Sequence, residues 1–169
     1  MKKGALFITY TTLFSLLFCG FLIALDQEPV FKLGKVTYDE IIKVNPDWKE
    51  NAVKYMPAPE SIDYLARVYL PVNIEVYYGH WCEDSQSNLP KFFQILEIAA
   101  NSAIEVEYWS MPKSKAGKDR KPMNKRKIVR IPTFVVFIEG IEAGEIVENP
   151  EVSIESDLVN ILKKVIKEE

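Results

Sequence analysis

The chain has 169 residues, two cysteines, one histidine and a formal net charge of −3. With 48% hydrophobic and 27% charged residues it is composed like an ordinary globular protein, long enough for one domain plus a segment of another kind. Only one of the cysteines lies outside the apolar N-terminus, which excludes a disulfide framework in the folded part; with a single histidine, no zinc site can be assembled either.

Lys2 and Lys3 precede an apolar run from Ala5 to Leu25. This pattern predicts an export signal or a signal anchor over residues 1–25. The run is long enough to span a bilayer, and Leu22-Ile23-Ala24-Leu25 is a poor small-x-small cleavage site, so an uncleaved anchor is preferred over a cleaved signal. Phe18 stands before Cys19 where a lipidated cysteine requires a small residue, which argues against acylation. In either case the lysines stay inside and residues 26–169 face the periplasm or cell envelope, tethered to the inner membrane by residues 5–25 or secreted after cleavage.

Residues 26–58 read as an N-terminal extension. It holds a short strand at Val30–Leu33, then a helix capped by Thr37 and running to Val44, with Asp39 and Glu40 in its first turn. Asn45-Pro46 ends that helix, and Asp47–Tyr55 turns Trp48, Val53 and Tyr55 to one side. A domain is expected over 59–169. It opens with a helix from Glu60 to Tyr69 whose apolar positions are Ile62, Leu65, Ala66 and Tyr69.

Val72–Tyr78 is short, apolar and rich in β-branched and aromatic residues, as a buried strand is. Gly79 punctuates it. From Cys82 the period turns helical, with Leu89, Phe92, Phe93, Leu96 and Ile98–Ala100 as the apolar face and Pro90 placed to kink it. Cys82 therefore sits at a helix N-terminus, where free backbone N–H groups and the helix dipole favour a thiolate. Glu83 and Asp84 act in the opposite sense if their charges approach the sulfur. Ile104–Trp109 alternates like a strand. Thr133–Ile138 is a second buried strand, Gly140 and Gly144 bracket a turn, and Glu145–Glu148 returns as its partner. Ile154, Leu158, Ile161, Leu162, Val165 and Ile166 mark a closing helix.

Between these strands, Lys113–Arg130 holds nine basic residues and one acid, Asp119. The rest of residues 26–169 carries 10 basic and 23 acidic residues, so charge is strongly polarised. An anionic partner, whether an acidic protein or lipid headgroups, suits this segment. Nucleic acid does not, because no stacking aromatics are interleaved with the lysines and arginines.

The motif W-C-E-D-S at Trp81–Ser85, the helical Pro90, Ile131-Pro132-Thr133, the hairpin and the final helix, in this order over roughly residues 70 to 168, resemble the thioredoxin superfamily. The resemblance implies an α/β thioredoxin-like three-layer sandwich with a mixed central sheet, helices on both faces and a cis bond before Pro132. It also implies that Cys82 is the nucleophile, that Trp81 shapes its surroundings, and that Ile131, Pro132 and Thr133 dock an extended client. Ser85 occupies the position of the usual second cysteine, so the chain looks like a monothiol member of the W-C-x-D-S kind. Val76 stands where two-cysteine relatives carry a buried carboxylate.

A lone thiol can attack a disulfide and form a mixed disulfide. Ser85 cannot resolve that adduct, although its hydroxyl is placed to hydrogen-bond the sulfur. Release needs an external thiol of the glutathione type or one on an exported client protein. Reduction and isomerisation of mixed disulfides stay open and net dithiol oxidation does not. The alternative is a non-catalytic thioredoxin-fold binding module. A cluster-binding monothiol glutaredoxin is disfavoured, since W-C-E-D-S does not resemble C-G-F-S. No cofactor and no metal are expected. His80, two residues before Cys82, reads as a surface-loop histidine.

Overall fold

The computed structural model describes residues 31–113 and 126–166. The N-terminal apolar run and most of the basic segment lie outside the described residues. No helix among the described residues is long and apolar enough to cross a membrane.

The first element is a short strand, β1 (Gly34–Val36), three to four residues later than the strand expected at Val30–Leu33. Thr37 then caps α1 (Tyr38–Val44) through a full capping box: the Glu40 N–H donates to the Thr37 hydroxyl, and the Thr37 N–H donates to the Glu40 carboxylate. Asn45 ends α1 and starts α2 (Pro46–Ala52), where Pro46 fits the first turn because no N–H is needed there. Trp48 and Ala52 are the buried side of α2; Val53, expected beside them, is exposed. Tyr55 reaches 100 residues along the chain instead, donating its hydroxyl to Glu155 at 2.9 and 3.1 Å. The same buried carboxylate accepts the Ala58 N–H.

Helix α3 (Pro59–Arg67) buries Ser61, Ile62 and Leu65. Ala66 and Tyr69, assigned to that face by spacing, point to solvent, because the helix ends at Arg67 and Val68 takes the buried position. Next come β2 (Val72–Tyr78), α4 (Glu83–Ala99), β3 (Ile104–Ser110), β4 (Thr133–Ile138), β5 (Ile141–Val147) and α5 (Ile154–Val165).

These strands form one five-stranded sheet in the order β1-β3-β2-β4-β5. Strands β2 and β3 are parallel, so the connection between them must cross over, and α4 is that crossover. The β1–β3, β2–β4 and β4–β5 pairs are antiparallel, and the sheet is mixed as expected. The hairpin turn is Glu139-Gly140, both at positive φ (52° and 80°). Gly144 is not part of the turn. It lies inside β5 opposite Val136, next to a bulge at Ala143, and a Cβ there would stand 3.2 Å from Ile161. Its role is to let α5 approach the sheet closely.

Alternation divides the strand residues between two faces. Val72, Ile74, Val76, Tyr78, Phe134, Val136 and Ile138 join one core with residues from all five helices. That core includes Val36, Ile41, Trp48 and Ala52, so residues 34–52 pack together with those after Pro59. The other face carries Tyr77 and Val135, packed with Met111, Ile128 and Ile131. Among the described residues the helices thus form a single layer, where three layers in all were expected. The second face is more polar, with Asn73, Glu75, Glu105 and Glu107 along β2 and β3, and has less apolar surface to cover. Two positions on the helices also differ from expectation: Ile98 and Val165 are 45% and 51% exposed, while Ile95 and Val159 are buried.

Candidate functional site

Strand β2 delivers the chain to the site. It ends at Tyr78; Gly79 and His80 turn, and the Cys82 N–H donates to the Gly79 carbonyl at 3.0 Å. Gly79 is required by space, not by backbone freedom: a Cβ there would meet Ile131 Cδ1 and Trp81 Cε2 at 2.8 Å. Cys82 is the N-cap of α4, in an extended conformation, and no side chain caps that helix end. Glu83 and Asp84 fill the first turn and complement the helix dipole. Pro90 lies inside α4 and is buried, and the helix continues to Ala99 before Ala100 closes it in the left-handed region.

Cys82 is a free thiol and half-buried. Its Sγ–H donates to the Ile131 carbonyl at 3.3 Å, across 49 residues of sequence. The Ile131–Pro132 peptide bond is cis. The structure therefore brings together Cys82 and Ile131-Pro132, the arrangement that the thioredoxin resemblance implies. Trp81 packs in the same small cluster, and its indole N–H donates to the Met111 carbonyl at 3.3 Å. The ammonium of Lys113 lies 5.9 Å above the Trp81 ring, within cation–π range.

Ser85 is placed differently from expectation. It is fully buried, and its Oγ accepts the Gly79 N–H at 3.2 Å, fixing the turn rather than the sulfur. The sulfur's hydrogen bond goes to Ile131 instead. Thr133 lies within β4, registered against Tyr77 and Val147, and its hydroxyl donates to the Arg130 carbonyl at 2.8 Å. It shapes the turn that presents Ile131 and Pro132. Val76 is fully buried on the helix side of β2, and Glu75, on the other face, accepts a hydrogen bond from Tyr77.

His80 packs on Phe31 with ring centroids 3.6 Å apart. Burial, and then the positive charge of Lys113, hold its imidazole below the ordinary histidine range, so it is neutral at pH 7. Among the described residues no cluster of three or more His, Cys, Asp or Glu side chains could hold a metal ion. Of the basic segment, Arg126 pairs with Glu142 and stacks over Phe137, and Arg130 pairs with Glu148 at 2.9 Å. The stretch 114–125 lies outside the described residues.

One residue of this neighbourhood escaped the sequence reading: Asn88, on α4 and 2% exposed. A polar residue within the stripe of Leu89, Phe92 and Ile95 was the available signal.

The strand order, the parallel β2–α4–β3 crossover, the antiparallel hairpin and the cis bond opposite Cys82 make the fold thioredoxin-like. No protein-family model and no curated protein matches the chain. Solved structures do. A protein of unknown function from Pseudomonas aeruginosa is similar with a TM-score of 0.53 and 18% identity, over 78% of this chain and 88% of that one. An HIV epitope-scaffold is similar with a TM-score of 0.53 and 18% identity, over 72% of this chain and 83% of its own. A thioredoxin from Halobacterium salinarum NRC-1 aligns with a TM-score of 0.38 and 18% identity, over 68% of this chain and 89% of that one. At 18% identity the likeness of the first two concerns the fold alone.

Proposed function

We propose that this is an exported, extracytoplasmic protein, held at the membrane by residues 5–25, that uses Cys82 as a monothiol nucleophile on mixed disulfides of exported proteins. The observation that carries this reading is the place of Cys82: a half-buried thiol at the N-cap of α4, with its sulfur 3.3 Å from the Ile131 carbonyl and beside Pro132. In the chemistry proposed, the Cys82 thiolate attacks one sulfur of a client disulfide and the other leaves as a thiolate. An external thiol of the glutathione type then attacks the mixed disulfide and regenerates Cys82. Ser85 does not resolve the adduct, and its buried hydroxyl oxygen accepts the Gly79 N–H. Trp81 lines the sulfur, and Ile131-Pro132 docks the client's extended backbone. Lys113, with the rest of the segment to Arg130, favours an anionic partner.

A second reading is a binding module that uses the same groove without turnover. It is favoured by the engagement of the Cys82 sulfur with the Ile131 carbonyl, 3.3 Å away, inside the groove itself. Turnover separates the two. With a glutathionylated peptide and glutathione as reductant, the full chain should accelerate release of the peptide thiol, and Cys82→Ser should abolish the acceleration. An inactive wild-type chain that still binds the peptide, with Cys82→Ser binding equally well, would establish the module.

A further inference from the structure

Outside the motif, a set of polar contacts joins the helix that Cys82 caps to the chain on either side of Ile131. Asn88 sits six residues into the helix that Cys82 caps, and its amide donates to the Glu148 carbonyl at 3.0 Å and to Asn149 Oδ1 at 3.2 Å. Asn149 in turn donates to Asp84 Oδ1 at 3.5 Å, in the first turn of the same helix. Glu148 has a φ of +62°, a region few non-glycine residues adopt. That conformation follows the end of β5, and the Glu148 main-chain N–H donates to the Pro132 carbonyl at 2.7 Å. The Glu148 carboxylate pairs with Arg130. Glu148 thus holds the residues on both sides of Ile131, while its carbonyl and its neighbour hold α4 at two points. Burial alone does not call for an amide at position 88, since leucine has the same branching at Cγ and matches the apolar stripe around it. Local departures of this kind gather at functional sites.

We propose that Asn88, Glu148 and Asn149 form a clamp that fixes the separation between the Cys82 sulfur and the Ile131-Pro132 backbone, and that Asn88 is its positioning residue. The functional meaning of the clamp rests on the reading of Cys82 as the reactive group. The test uses the full chain in a Cys19→Ser background, so that Cys82 is the only thiol. Asn88→Leu keeps four side-chain heavy atoms branched at Cγ and removes both hydrogen bonds. The expected result is a folded protein whose Cys82 reacts with iodoacetamide at a rate altered by about threefold or more, with a moved Ile131 amide resonance. A folded variant with an unchanged rate and an unmoved Ile131 resonance overturns the proposal. If Asn88→Leu does not fold, Asn149→Ala removes the link to Asp84 and one of the two Asn88 acceptors, keeps the Asn88–Glu148 bond, and should move the same two readouts by less; no movement again overturns it. A wild-type chain that reduces no mixed disulfide sinks the monothiol reading, while the alkylation rates still decide the clamp.

Discussion

Strand β2 shows two environments side by side. Val72, Ile74, Val76 and Tyr78 face the helices and are buried among large apolar neighbours. Asn73, Glu75 and Tyr77 face the other way, and only Tyr77 is fully buried there, in the small cluster that reaches Cys82 and Ile131. The helix face supplies the apolar burial that holds the fold. The rim of the second face carries the thiol, the cis bond and a set of polar contacts. A protein arranged in this way should lose stability and lose site geometry through different residues.

The largest expected effect is on the helix face. Phe92 is fully buried and packs on Phe134 with ring centroids 5.1 Å apart. Phe92→Ala should cost about 3–5 kcal/mol of unfolding free energy. At temperatures where the variant is folded, its Cys82 alkylation rate should match the wild type, and a large change would dissolve the comparison. On the site side, Gly79→Ala should cost about 1–3 kcal/mol, since the new Cβ must displace Trp81 and Ile131. Here the alkylation rate should change, in contrast to Phe92→Ala.

Acid and base should divide the two regions more gently. Burial pushes the Tyr78 phenol, on the helix face, up to about 12. Below an unfolded value of about 10 both states keep the proton and stability is complete. As pH rises from there toward 12 the unfolded chain ionises first, so stability falls. Tyr78→Phe should flatten this alkaline limb in urea titrations. The site side answers to His80, whose folded value is lowered. Above about 6.5 the imidazole is neutral in both states; as pH falls below that the unfolded chain takes the proton first and stability declines. His80→Gln should remove this smaller acid limb. A wild-type chain equally stable at pH 5 and pH 7 by the same urea titration, with no other residue changed, would contradict the assignment.

Much of this was legible in the sequence. The buried strand at Val72–Tyr78, the helix opening at Cys82 and the Thr37 cap follow from local period and punctuation, and the meeting of Cys82 with Ile131-Pro132 from the thioredoxin resemblance. What escaped was tertiary. Gly144 looked like a turn residue, but Glu139 supplies the positive φ beside Gly140, and Gly144 answers to α5 instead. Ser85 reads in the sequence as a hydrogen-bond donor to the sulfur, whereas in the fold its oxygen accepts the Gly79 N–H. Asn88 and Glu148 are 60 residues apart, and no local pattern joins them. Helix ends decided the exposure of Tyr69, Ile98 and Val165, and a shift of one or two residues there changes which side chain is buried.

In the function proposed, Cys82 is a nucleophile that cannot release its own adduct. The most direct test is a single-turnover experiment on the full chain with Cys19→Ser, mixed with an excess of a chromogenic disulfide and no other thiol. The account predicts a burst of one equivalent of released thiol, one adduct on Cys82 by mass, and a resumption of release only when glutathione is added. No burst, or continued release without glutathione, would contradict it.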